Sequence, residues 1–424
     1  MRSPSKIAAG LIALLMIGSS AAAEPTKPLT LEDCYRMAIK QSEEVALRSE
    51  RITETEGRLL QAFSSLLPRV SFSSIDKRQD GSGNSPFTRK SLPERKFSFS
   101  QPLFSGFKEF AALKGSRLEK KQLEQEKKRA EQLLLVDVSD AFYLLLEQQE
   151  QLDILNTIRE TLKERLRELQ QRENLGRSRV SEVVAAQAQL HRVEAEWETV
   201  QNQETVVAQL LQFLTGLDAI GELQNPGPNL PAVPAQENYL SRANLRPDVK
   251  AAEEAVQIAQ QQKTVARAQY FPTVNADGNY YVERSGAAED VKWDASLNVK
   301  VPIFQGGSAL GANKEAASEL RQAEITLRQA RRTALHEILD SHAQYEGALR
   351  RLRALREALE STDETYQYEV KEYRLNLVNN LEVLAALQTL QDSRREVTQM
   401  AYEARRLYWK LQTAAGYSLE EKPA

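Results

Sequence analysis

The chain has 424 residues, 27% of them charged and only 7% aromatic, with a formal net charge of −3. That composition argues against a single thick globular core, and without a basic excess nucleic acid is not the expected partner. A lone cysteine, Cys34, excludes an intramolecular disulfide, and three histidines (His191, His336, His342) do not supply an ordinary zinc site, so neither metal nor cofactor is expected.

Residues 1–23 read as a secretory signal. Arg2 and Lys6 form the positive region, Ile7 to Ile17 is apolar except for Gly10, and Ala21-Ala22-Ala23 is a small-residue cleavage site. The alternative, a membrane anchor, needs about 20 apolar residues, and this run is too short. No later segment is long and apolar enough to span a bilayer as a helix. An exported chain of this kind enters a membrane only as a closed β-barrel, which satisfies its own backbone polar groups.

Residues 29–66 predict a helix with Thr30 as N-cap and Asp33 three residues on, ended by Pro68. Strands are predicted at 69–76 and 96–103, with a loop from Lys77 to Arg95. From Ser105 to about Asn174 there is no proline, and Leu155, Leu162 and Leu169 repeat every seven residues: a coiled-coil seam on one long helix. About 70 residues at 1.5 Å each make roughly 105 Å, too long for a globular core. A break at Asn174 to Ser178 precedes a return helix from about Arg179 to Leu214. Residues 218–237, with Pro226, Pro228, Pro231 and Pro234, predict a linker along the outside, and 238–270 a helix.

The pattern then starts again. Val274, Ala276, Gly278, Tyr280 and Val282 alternate with polar residues, as do Trp293, Ala295, Leu297, Val299 and Val301. This period-two alternation fits strands with one face to lipid and one to a lumen; it also fits a soluble half-buried hairpin. A second long helix follows, with Leu352, Leu359, Tyr366 and Tyr373 on its seam, a break at Arg374 to Val378, and a return helix from about Asn379 to Ala414. The halves superpose at an offset of 200: Pro102-Leu103-Phe104-Ser105-Gly106 on Pro302-Ile303-Phe304-Gln305-Gly306, Glu182-Val183 on Glu382-Val383, Gly216 on Gly416. Upstream, Leu67-Pro68 matches Phe271-Pro272 at 204, so the first copy carries four extra residues between its two proline landmarks.

The predicted domains are a signal at 1–23, a first repeat at 24–217 (helix, β-hairpin 69–103, helical hairpin 105–216), a linker at 218–237, a second repeat at 238–416 (helix, β-hairpin 272–303, helical hairpin 305–415) and a tail at 417–424. The fold class is mainly α with a membrane β-barrel. Four strands cannot close a barrel, so several chains must share one. The expected object is a duct, with a soluble periplasmic coiled-coil adaptor or scaffold as the alternative.

The opening Leu29-Thr30-Leu31-Glu32-Asp33, the two proline-marked strand starts, Arg246-Pro247-Asp248, both Pro-x-Phe-x-Gly hinges and Glu382-Val383-Leu384-Ala385-Ala386 occur in one order over the mature chain. In this the sequence resembles the outer membrane efflux protein family, the TolC-like exit ducts. The resemblance implies a homotrimer, a 12-stranded barrel in outer-membrane lipid and an α-helical periplasmic tunnel. It also implies docking to a periplasmic adaptor and an inner-membrane pump of the RND or ABC type.

No catalytic constellation is present, and no glycine-rich phosphate loop. The resemblance places a periplasmic gate at the second tip. There Glu382 falls on the first of two acidic ring positions and Ala385 on the second; the other reading of Glu382 is a solvated helix-surface residue. Tyr373 matches the tyrosine of the family's closing lock, whose arginine position holds Val378; Tyr373 also continues the heptad seam. Adaptor docking maps to Leu175, Gly176, Ser178, Leu375, Asn376 and Leu377, for which contact between neighbouring tips is the other reading. Asn275, Asp277, Asn298 and Lys300 are expected to line the barrel lumen, with Trp293, Tyr280 and Tyr281 as interfacial aromatics.

Overall fold

A computed structural model describes residues 28–227, 229–375 and 377–419. The expected signal, Pro228, Asn376 and the last five residues lie outside the described residues.

Thr30 caps helix α1 (Leu31–Gln41) with a full capping box: its hydroxyl accepts from the Asp33 amide, and the Asp33 carboxylate accepts from the Thr30 amide. The single helix predicted to residue 66 is in fact two. Ser42 is extended, ends α1, and with its hydroxyl caps α2 (Glu43–Ser64) through the Val45 amide. A serine hydroxyl able to satisfy the next turn's amide makes such a break inexpensive.

Strands β1 (Arg69–Arg78) and β2 (Ser91–Phe104) follow, then the paired helices α3 (Lys108–Asn174) and α4 (Val180–Thr215). The segment predicted as one helix over 238–270 is a short α5 (Gln236–Leu240), a 3₁₀ turn (Ala243–Leu245) and α6 (Pro247–Ala268). Pro247 sits at the first turn of α6, where a missing N–H costs nothing. The second copy continues with β3 (Thr273–Arg284), β4 (Trp293–Lys300), α7 (Ser308–Arg374) and α8 (Asn380–Ala414).

The four strands form one antiparallel sheet in the order β1-β2-β3-β4. Register places Phe72, Phe97, Tyr280 and Trp293 in one row on one face. Ser71, Ser98, Asn279 and Asp294 form the neighbouring row on the other. Two departures from prediction follow from this pairing. β2 begins at Ser91, so the loop is only residues 79–90: Leu92 to Arg95 pair with β1 on one side, and Glu94 and Arg95 with β3 on the other. Tyr281 belongs to the polar face, where its hydroxyl donates to Asp294 at 2.7 Å, so it is not an interfacial aromatic beside Tyr280.

Below the sheet, α3 packs on α4 and on α8, and α8 on α7; nearer the sheet, α2, α3, α6 and α7 pack in that order. The predicted seam is the core: Leu155, Ile158, Leu162 and Leu169 of α3 close on Val183, Ala186, Leu190 and Val193 of α4, with Leu384 and Leu387 of α8 against them. The linker is pinned to the outside, as its prolines imply. Leu29 and Leu223 bridge, and Tyr345 Oη donates to the Pro231 carbonyl at 2.6 Å. Cys34 is fully buried against Phe142, and burial pushes its thiol pKa up to about 11, which makes it unreactive. No described helix is long and apolar enough to cross a membrane.

At mid-stalk, α3, α4 and α8 enclose a polar cleft lined by Glu147, Gln151, Glu196, Asp392, Arg395 and Arg406. Burial raises the Glu147 carboxyl to about 7, although Arg406 stands 3.5 Å away and opposes the shift. A carboxyl whose folded pKa exceeds its unfolded value of 4.5 holds its proton better in the folded state. Its contribution to stability is therefore complete at acid pH and lost as pH rises through about 7. Glu147→Gln is expected to be more stable than the parent at pH 8 and to flatten the rise in stability between pH 8 and pH 5. Thermal melts across that range measure it; a parallel pH profile in both proteins would refute it.

Candidate functional site

The two helical tips lie at the far end from the sheet. In the first, α3 ends at Asn174, Gly176 turns with φ 70°, and Ser178 Oγ donates to the Glu182 carboxylate near the start of α4. A side chain at 176 would be strained, which is why glycine serves there. In the second, Asn379 caps α8: its Oδ1 accepts from the Leu381 and Glu382 amides at 2.8 and 3.3 Å. Glu382 turns its carboxylate back to accept from the Asn379 amide at 2.8 Å. The residue expected in a gate ring is therefore exposed but also completes a capping box, an assignment neither earlier reading contained. Leu175, Leu375 and Leu377 are 70%, 68% and 71% exposed. Asn376, between them, lies outside the described residues.

Tyr373, in the last turn of α7, is only 7% exposed. It is held by two arginines from the other hairpin. The Arg165 guanidinium lies 4.0 Å from the ring centroid, and that of Arg172 at 5.0 Å. Arg172 Nη1 also donates to the Tyr373 hydroxyl at 3.2 Å. Arg165 Nε donates to Asn380 Oδ1 at 2.8 Å, so it touches α7 and α8 together. Glu168 receives both arginines at 2.8 Å and orients them. These contacts tie α3 to α7 and α8 within one chain. Sequence reasoning looked for an arginine near Val378 and missed Arg165 and Arg172. The signal present was Arg165, Glu168 and Arg172 at i, i+3 and i+7, one polar stripe along α3.

At the other end, the expected lumen residues share one sheet face. Asn275 pairs with Asn298, Asp277 with Ser296, and Thr273 with Lys300. Asp277 accepts from Ser100 Oγ at 2.7 Å and from Asn298 Nδ2 at 2.8 Å. Asp294 accepts from Asn279 Nδ2 at 2.8 Å. The result is a hydrogen-bonded polar ladder across β2, β3 and β4, backed by an opposite face of Phe, Val, Leu and Trp. A sheet that is polar on one side, apolar on the other, and continuous with helices far longer than a domain core is part of a membrane duct.

The chain belongs to the outer membrane efflux protein family, whose model matches residues 35–217 and 240–417. The alkaline protease secretion protein AprF of Pseudomonas aeruginosa is 21% identical over 92% of this chain and 86% of its own. The outer membrane protein TolC of Vibrio cholerae is 20% identical over 72% of both. The crystal structure of the outer membrane protein VceC from Vibrio cholerae shares the fold with a TM-score of 0.80 at 20% identity, over 91% of this chain and 96% of that one. The protein is thus an outer-membrane efflux channel of the tripartite kind, with a large periplasmic helical part, and not an enzyme. The adaptor or scaffold alternative falls with that assignment.

Proposed function

We propose that three copies of this chain close one 12-stranded barrel and one helical tunnel, forming the passive exit duct of an export system driven by an inner-membrane pump through a periplasmic adaptor. The observation that carries this reading is the open sheet. β1 and β4 are its edges, and an apolar face ending at two unpaired edges has no stable place in a monomer. Pairing β4 of one chain with β1 of the next removes every edge at once.

The helices support the same arrangement. The outer flanks, α4 and α7, carry exposed apolar side chains: Val206, Leu210 and Phe213 on one, Ile325, Leu335 and Leu339 on the other. A neighbouring copy covers both flanks in a closed ring. In this duct Tyr373, Arg165 and Arg172 form the latch of the closed state, Glu382 adds negative charge at the entrance, and Leu175, Gly176, Ser178, Leu375, Asn376 and Leu377 meet the adaptor. Asn275, Asp277, Asn298 and Lys300 line the barrel. AprF, by name a secretion protein, makes a polypeptide cargo as compatible with this duct as a small molecule.

Negative-stain electron microscopy of detergent-extracted protein tests the assembly. The expected particle has three-fold symmetry and a long tapered stalk. A monomer that stays soluble without detergent would sink the shared barrel.

A further inference from the structure

Phe107 is the only non-glycine residue with positive φ among the described residues, at φ 67° and ψ 13°. For a residue with a Cβ this left-handed conformation is strained. Its counterpart 200 positions on is Gly307, at φ 89°. Both long helices thus start from a left-handed residue; the second copy uses glycine there, and the first keeps a phenylalanine. The ring is not repaid by burial. Phe107 is 59% exposed, and Phe110, a turn further on, is 63% exposed. The ring contact Phe107 makes is edge-on to Phe104, with centroids 5.4 Å apart.

Register shows which side of the wall this cluster occupies. Pro102 pairs with Asn275, but Phe104 pairs with Val274, so Leu103 is a bulge. The bulge moves Phe104 onto the apolar face, the face of Val274, Gly278 and Tyr280. Phe107 packs against Phe104 and so belongs to that side. Strand order shows what does not cover it. β2 lies between β1 and β3, and α3 between α2 and α6, so a second copy joining at the β1 and β4 edges does not reach this position. The exposed Ile303 and Phe304 follow edge strand β4 and are available to such a copy; Phe107 and Phe110 are not. In the barrel proposed above, the apolar side at the helical end of the sheet borders the periplasmic leaflet of the outer membrane.

We propose that Phe107, with Phe104 and Phe110, inserts into that leaflet at the boundary between headgroups and acyl chains and sets the depth at which the duct sits. The occupant of this surface is phospholipid. Membrane contact therefore extends beyond the barrel onto the first turn of α3, in the first repeat only. The proposal rests on the barrel reading above, and its test separates the two.

The protein is reconstituted in phosphatidylcholine vesicles with acyl chains brominated either near the headgroup or near the chain end. Parent protein reports on Trp293, which stands on the apolar barrel face. Phe107→Trp in a Trp293→Phe background reports on position 107, over a constant signal from Trp197 and Trp409 in the stalk. The expected result is quenching of Trp293, and quenching at 107 that is stronger with bromine near the headgroup. Quenching of Trp293 with none at 107 overturns the anchor and leaves the barrel standing; quenching at neither overturns both. Phe107→Gly gives a second readout, since glycine relieves the strained φ. It is expected to melt no lower than the parent and to leave the vesicles at lower detergent. A variant that melts well below the parent, with unchanged extraction, would make Phe107 a packing residue and refute the proposal.

Discussion

Replacing Arg165 and Arg172 together by alanine is expected to leave the assembly intact and to make the closed duct leak. Each guanidinium over an aromatic ring contributes about 0.5–2 kcal/mol, and a hydrogen bond to a charged donor about 1.5–3 kcal/mol. The two arginines make both kinds of contact with Tyr373 and Asn380, while their partial exposure screens part of that gain. Their joint loss is expected to shift the closed-to-open ratio by roughly 10–100-fold per chain, since ~1.4 kcal/mol is a factor of ten. Single-channel recording in planar bilayers measures this as a rise in open probability. Tyr373→Phe, which removes only the hydroxyl, is expected to give a smaller rise. Arg172→Lys keeps the charge but not the planar fork, and falls between. Parent-like recordings from the double-alanine protein would sink the latch.

Leu175→Asp combined with Leu377→Asp is expected to abolish export without changing the amount of assembled duct in the envelope. Both side chains are well over half exposed, and burying a leucine against a partner is worth about 1.5–3 kcal/mol. Losing two such contacts, and placing two carboxylates in their stead, lowers affinity by more than roughly 100-fold. Secretion or drug resistance in cells carrying the variant as their sole copy provides the measurement. Retained export would show that the leucines do not meet the adaptor. A closed tip that opens in isolated particles would show instead that they pack against neighbouring tips.

The helical half of this fold was legible because its information is local and repeated. Leu155, Leu162 and Leu169 declare a seam wherever the chain goes, and the same side chains are buried in the structure. Strand β2 was misjudged at its start because Ser91 to Arg95 contains Pro93 and little alternation; two partner strands, not propensity, make it a strand. Tyr281 was assigned by residue type, whereas the register decides its face. The arginine contacts of Tyr373 are harder to read. Arg165 and Arg172 stand seven and fourteen residues after Ile158, on the seam of α3 itself, where charge reads as solvated until the last turn of α7 comes alongside. Glu382 is singled out by the family resemblance, while Asn379 with a glutamate three residues on is also a capping signature, which the backbone bears out.

Helices α3 and α7 are each 67 residues long, and they stand 200 positions apart along their whole length. The four residues by which the copies differ fall between the proline landmarks of the strands, not in the stalk. One residue added to a stalk helix would rotate everything after it by about 100° and carry the seam off its partners. The stalk is therefore a ruler with a fixed graduation. To reach across a wider periplasm it must grow by whole heptads of about 10.5 Å, in both copies and in both return helices together.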